Sequence, residues 1–276
     1  MPTSALISSN PYYRLYQDMK DHPDWIPVIA EGDSWFAFPG VLLRMNVISH
    51  LQYTFRARMA FLRISYHGDR LHDMLNGRQY RKLKRMLCHK SEFRALLFSG
   101  GGNDIVQSMD GFVVKRGNCK RWQDCVNQDA LDNKILQLET LYHKLIRTRD
   151  KFNPKCRIYV HSYDYSSVNG KPVKMGTLVL SKAWLEPVFL QKGIDSKRTQ
   201  RRIVRHVIDE FFSMLKRVEL AYPERFTVID TRGTLKPSDW TDEIHPSHEG
   251  FERITAKIAK RLSKDFPGYV RSRAVE

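Results

Sequence analysis

No stretch of this sequence is apolar for long enough to cross a bilayer as a helix. The amino terminus, Met1-Pro2-Thr3-Ser4-Ala5, has neither the basic start nor the apolar centre of a secretory signal, so a cytoplasmic protein is expected. Cysteine is scarce, with Cys88, Cys119, Cys125 and Cys156 the four in the chain. No C-x-x-C pair occurs, which argues against structural zinc, and no H-E-x-x-H run or carboxylate cluster points to another metal. Cys119 and Cys125 are close enough in sequence for a disulfide, but a reducing compartment favours free thiols. No cofactor is implied. Internal repeats, low-complexity tracts and linkers are also missing, so the 276 residues read as one domain with ample core.

Acidic residues are in deficit. The chain has 46 Lys and Arg against 30 Asp and Glu, a formal net charge of +16. Residues 78–90 carry six Lys or Arg and no acid, and residues 192–205 carry six against Asp195 alone. Such runs are solvated helix faces by default; the functional version is a funnel for an anionic substrate, such as a phospholipid or an acidic glycan. No recognised nucleic-acid motif accompanies the charge, so a specific nucleic-acid partner is not expected.

What is present is a repeated strand–helix pattern. Apolar runs predict strands at about 27–31, Phe61–Tyr66, Ala95–Phe98, Arg157–Val160 and Phe226–Ile229. Helical spacing links Leu71 to Leu75 and, after an interruption at Asn76-Gly77, Leu83 to Leu87; it also links Leu131 to Leu145, Val204 to Val218 and Phe251 to Leu262, and residues 41–59 read as partly helical. This alternation predicts an α/β fold with a central parallel sheet covered on both faces. Residues 1–24 read as an amino-terminal extension. Residues 105–129 and 166–198 read as irregular insertions beside the site. Trp35 to Gly40 reads as a loop with exposed aromatic potential.

Three polar clusters each follow a predicted strand: Gly32-Asp33-Ser34, Gly101-Gly102-Asn103-Asp104 and Asp242-Glu243-Ile244-His245-Pro246. A parallel sheet gathers such strand ends on one edge. Nucleophilic acyl transfer needs a hydroxyl, a base, a carboxylate that orients the base, and donors for an oxyanion. Ser34 and His245 fit the first pair, and Asp242 can reach back to His245. The Ser34 and Gly68 amides and the Asn103 side chain can act as donors. Trp35 and Phe36 are candidate substrate contacts or core. His161 and Asp164, which follow the fourth strand, are candidate substrate contacts. Asp33 and Asp104 are expected to bond local backbone, and Ser99 to be buried. His67 and His248 are expected to be exposed loop histidines or to support the site from behind.

These motifs resemble the SGNH hydrolases, also called the GDSL esterase/lipase family. Block I is similar to Gly32-Asp33-Ser34-Trp35, with tryptophan where leucine is usual. Block III is similar to Gly101-Gly102-Asn103-Asp104, and block V to Asp242-x-x-His245-Pro246, all in the family's order. Block II is matched only by the position of Gly68. The resemblance implies a flavodoxin-like α/β/α sandwich with a mainly parallel five-stranded sheet. It implies Ser34 as nucleophile, His245 as base, Asp242 as its orienter, and Ser34, Gly68 and Asn103 as the oxyanion hole. The expected function is ester hydrolysis of esterase, lipase or carbohydrate-deacetylase type on a small-molecule, glycan or lipid ester. The alternatives are acyl transfer on the same residues, or a silent basic scaffold that binds nucleic acid or another polyanion.

Overall fold

The computed structural model describes residues 11–38, 46–89, 93–175 and 178–271. Expectations for residues 1–10, Pro39, Gly40, 41–45, Lys90 and Gly176 lie outside the described residues.

In chain order, α1 (Pro11–Asp21) is followed by β1 (Ile26–Gly32), α2 (Ser34–Ala37), α3 (Val47–Tyr53) and β2 (Met59–Arg63). Next come α4 (Leu71–Met74), α5 (Gly77–Leu87), β3 (Ala95–Ser99), α6 (Gly102–Phe112), α7 (Gln128–Phe152) and β4 (Arg157–His161). β5 (Val173–Met175), β6 (Leu178–Ser181), α8 (Glu186–Gln191), α9 (Lys197–Ala221), β7 (Phe226–Ile229) and α10 (His248–Asp265) complete it.

The main sheet runs β2-β1-β3-β4-β7, and every pairing in it is parallel. Counting sheet strands alone, the order is 2-1-3-4-5, the flavodoxin-like arrangement. β1 and β3 are buried along their whole length, as expected of unbroken apolar strands covered on both faces. α5, α6 and α9 pack on α7 in one helical layer, while α10 packs on α3 in the other, giving three α/β/α layers. The chain order reverses at β1, so the ends of β1 and β3 diverge and open a crevice.

Several expectations change. The second strand begins earlier, at Met59, and ends at Arg63 rather than Tyr66. Trp35 and Phe36 lie in α2, buried rather than exposed, because the chain turns into a helix at once and drives both rings into the core. Residues 105–129 are not one irregular insertion: Ile105, Met109 and Phe112 form the buried stripe of α6, which ends in front of two 3-10 turns. Residues 166–198 hold the β5–β6 hairpin and α8. Within 1–24, the described part is mostly α1, which packs by β2. Cys119 and Cys125 are joined by a disulfide, contrary to the expectation of free thiols; Cys88 is exposed and free, and Cys156 is buried and free.

Candidate active site

The turn after β1 is set by close packing. A Cβ on Gly32 would meet the Ser99 Cβ at 2.7 Å and the Ser99 carbonyl oxygen at 2.9 Å, so a larger residue cannot bring β1 this close to the end of β3. Asp33 then caps α2, its carboxylate accepting from the Trp35 amide at 3.0 Å. Ser34 is the first residue of α2 and is buried at the foot of the crevice.

The loop from Asp242 to Pro246 meets Ser34 from the other end of the sequence. Asp242 is wholly buried, and its Oδ1 accepts from the Ile244 and His245 amides at 2.9 Å each. Its Oδ2 lies 2.9 Å from His245 Nδ1, and His245 Nε2 lies 2.9 Å from Ser34 Oγ. With a carboxylate on one side, the imidazole proton belongs on Nδ1, which leaves Nε2 to accept from the serine hydroxyl. Trp35 Nε1 donates to the Ile244 carbonyl at 3.1 Å and ties α2 to this loop. The Phe38 ring packs on the His245 ring at 4.4 Å.

A second buried network lies beneath. The Tyr163 amide donates to His161 Nδ1 at 3.2 Å, so the His161 proton sits on Nε2 and is donated to Ser99 Oγ at 2.8 Å. The Ser99 hydroxyl donates to Asp33 Oδ1 at 2.8 Å, and the Tyr163 hydroxyl donates to Asp33 Oδ2 at 2.5 Å. Burial raises the Asp33 carboxyl to about 6, against the lowering effect of these donors. Burial lowers His161 to about 3, which keeps it neutral.

Asn103 is the second residue of α6, and its Nδ2 donates to the Asp69 carbonyl at 2.8 Å. Asp104 does not bond local backbone alone: its carboxylate accepts from the Leu71 amide at 2.7 Å, fastening α4 to α6. Gly68 stands in an exposed turn at φ 81°, one residue before Asp69. Ser34, Asn103 and Tyr163 border a cleft of about 550 Å³, open mouth included. Ile105, Met109, Leu185, Val204, Val207 and Ile208 make its lining mostly apolar. A Cβ on Gly102 would meet the Tyr163 ring at 2.8 Å, so glycine there lets that ring stand in the cleft wall. Among the described residues, no group of three His, Cys, Asp or Glu is placed to hold a metal.

No protein-family model and no curated protein matches the chain. Solved structures do. A lipase from a goat rumen metagenome superposes with a TM-score of 0.56 at 15% identity, over 90% of this chain and 100% of that one. An extracellular lipase from Streptomyces rimosus gives 0.50 at 14%, over 83% and 95%. A phospholipase A1 from Streptomyces albidoflavus gives 0.50 at 11%, over 83% and 98%. The chain has the SGNH-hydrolase fold.

Within the SGNH fold, burial removes three of the four expected substrate contacts, His161, Asp164 and Phe36, from the cleft lining. His161 is enclosed beneath α2, stacked on Trp35 at 5.1 Å, with both ring nitrogens engaged. Asp164 is buried and accepts from the Tyr165, Gly233 and Leu235 amides, so it pins the loop after β7. Phe36 is core, and Trp35 borders the cleft only with what its core packing leaves. His67 is exposed, whereas His248 opens α10 half-buried with its ring 4.8 Å from that of His50. Sequence reasoning expected Ser99 to be buried, as it is, but missed its role and those of Tyr163 and Glu243. Ser99 and Tyr163 complete the Asp33 network. Glu243 is buried and accepts from the Gly170, Trp184, Leu185 and Glu186 amides, which anchors the 166–198 segment beside the cleft. Its position between Asp242 and His245 was the available signal.

Proposed function

We propose that this protein is a serine ester hydrolase that works through an acyl-enzyme. The observation that carries the proposal is the unbroken relay from Asp242 Oδ2 through His245 to Ser34 Oγ, with 2.9 Å at both junctions. Ser34 Oγ attacks the ester carbonyl carbon as its proton passes to His245 Nε2. Asp242 holds the Nδ1 proton and stabilises the imidazolium. The Ser34 amide, the Asn103 Nδ2 and the Gly68 amide are the donors we assign to the oxyanion. The tetrahedral intermediate collapses, the alcohol leaves with the proton from His245, and the acyl group stays on Ser34. Water then attacks the acyl carbon, giving its proton to His245, and the carboxylic acid departs as Ser34 recovers its proton.

The apolar cleft wall favours an ester with an apolar acyl chain, and the lipases of the same fold agree with a lipid or lipid-like ester. We take the chain as one SGNH-like domain. The Cys119–Cys125 disulfide favours an oxidising compartment over the cytoplasm expected from the sequence.

The test is hydrolysis of p-nitrophenyl esters by wild type and Ser34→Ala, together with covalent labelling by a fluorophosphonate. Wild type turns over and is labelled at Ser34, while Ser34→Ala is unlabelled and slower by on the order of ten-thousand-fold or more. Equal rates in the two proteins sink the proposal.

A further inference from the structure

α5 has two unlike faces. Leu83, Met86 and Leu87 are buried, whereas Arg78, Arg81 and Arg85 are exposed and Lys82 is half-buried. These four cations line a broad surface groove, about 1800 Å³ with its open mouth, that also includes Tyr12 of α1 and Tyr66. Among the described residues, none of the four forms an ion pair. The groove's own acid, Asp73, is already held by Arg70 at 2.7 and 3.1 Å. Asp69 accepts from Gln79, and Glu31 is sealed beneath, where burial holds its carboxyl well above the usual carboxylate range. Among the described residues, the groove lining therefore holds an excess of positive charge.

The cations do not converge on one point. Positions 78, 81, 82 and 85 run along one helix face for about 10 Å, so they match a row of anions rather than a single phosphate. Lys82 Nζ lies over the rings of both Tyr12, at 5.9 Å, and Tyr66, at 5.6 Å. Both tyrosine rings of the groove therefore have a cation beside one face. Tyr12 and Tyr66 are 39% and 55% exposed. Exposed tyrosines around a row of Lys and Arg suit a surface of anionic headgroups, where the rings sit at headgroup level and the cations meet phosphates.

The groove adjoins the cleft. The Tyr66 amide donates to the Gly32 carbonyl at 3.0 Å, the Asp69 carbonyl receives Asn103, and Gln79 of α5 donates to Asp69 and Glu31. One segment, 66–69, thus contributes to the groove and contacts the residues around Ser34. We propose that the α1–α5 groove docks the protein on an anionic phospholipid surface. Delivery of an ester from that surface to Ser34 rests on the hydrolase reading; docking itself does not.

The experiment sediments the Ser34→Ala protein with vesicles of phosphatidylglycerol and phosphatidylcholine in equal parts, and with phosphatidylcholine alone. Binding is expected only to the anionic vesicles, and it is lost as salt approaches about 1 M. Adding Arg81→Gln and Arg85→Gln weakens it about 25-fold, at roughly fivefold per cation. The same pair of changes in the Ser34 protein leaves hydrolysis of a soluble p-nitrophenyl ester unchanged, which shows that the fold is intact; Lys82→Gln alone serves if it does not. Equal binding to both vesicles, binding that resists salt, unchanged binding by the variants, or tighter binding to a single-stranded oligonucleotide each overturns the proposal. Vesicle binding without any ester hydrolysis sinks the hydrolase reading and leaves docking standing.

Discussion

The Tyr163 hydroxyl donates to Asp33 while the Tyr163 amide donates to His161, so one residue clamps a buried acid and a buried base behind Ser34. The two have opposite linkage to folding. Asp33 is raised to about 6 in the fold, so its contribution to stability is full below the unfolded value of 3.8 and is lost as pH rises through about 6. His161 is lowered to about 3, so its contribution is full above the unfolded value of 6.5 and is lost as pH falls toward about 3. Between about pH 4 and 6 the two slopes cancel. Asp33→Asn is expected to unmask His161, making stability fall with acidification by up to about 1.4 kcal/mol per pH unit relative to wild type. His161→Gln is expected to give the opposite slope. Denaturant midpoints measured across that window check both signs; parallel curves for all three proteins refute them.

Asp242→Asn keeps an acceptor for the Ile244 and His245 amides but turns an NH₂ toward His245 Nδ1. The imidazole then favours the wrong tautomer. The kcat of the proposed hydrolysis is expected to fall on the order of ten-thousand-fold with KM nearly unchanged. Steady-state kinetics beside a thermal melt separate this from unfolding; wild-type kcat in the variant excludes the orienting role.

Val207 lines the cleft from α9, and Ile105 and Met109 line it from α6. Val207→Phe fills the apolar wall. The expected outcome is a loss of about 10- to 100-fold in kcat/KM for a long-chain ester, with the acetate ester within about twofold. A chain-length series on p-nitrophenyl esters tests it. A uniform loss across the series would mean that the acyl chain lies elsewhere.

Cys119 and Cys125 are bonded at a sequence separation of 6, while Cys156 is buried and Cys88 exposed. Alkylation of the native protein followed by mass spectrometry is expected to modify Cys88 alone, with Cys156 reacting only after unfolding. Reduction is expected to cost roughly 2 kcal/mol of stability, the loop-closure value for so short a ring. Modification of Cys119 or Cys125 without reductant would refute the bond.

The strands were legible where apolar runs were unbroken: Ala95–Phe98 and Phe226–Ile229 lie within or coincide with β3 and β7. Helices with sustained period, such as the one through Leu131 and Leu145, were legible too. α6 was not, because its stripe of Ile105, Met109 and Phe112 starts within a glycine turn and includes Gly111, which reads as loop. α2 was not, because four residues carry no period.

The polar clusters after β1 and β3 and ahead of α10 were legible as types and spacings, and strand-end placement on one sheet edge follows from parallel topology. The sequence by itself therefore determined the layered α/β class and which residues could meet. Tertiary structure alone decided which of them do. His161, Asp164 and Phe36 look like site residues until burial turns them inward. Ser99 and Tyr163 look like nothing until Asp33 needs partners. Glu243 shows its use only when a distant segment brings four amides to it. Hydrogen-bond partners across long sequence separations and the sign of burial are properties of packing, and no local pattern in the chain encodes them.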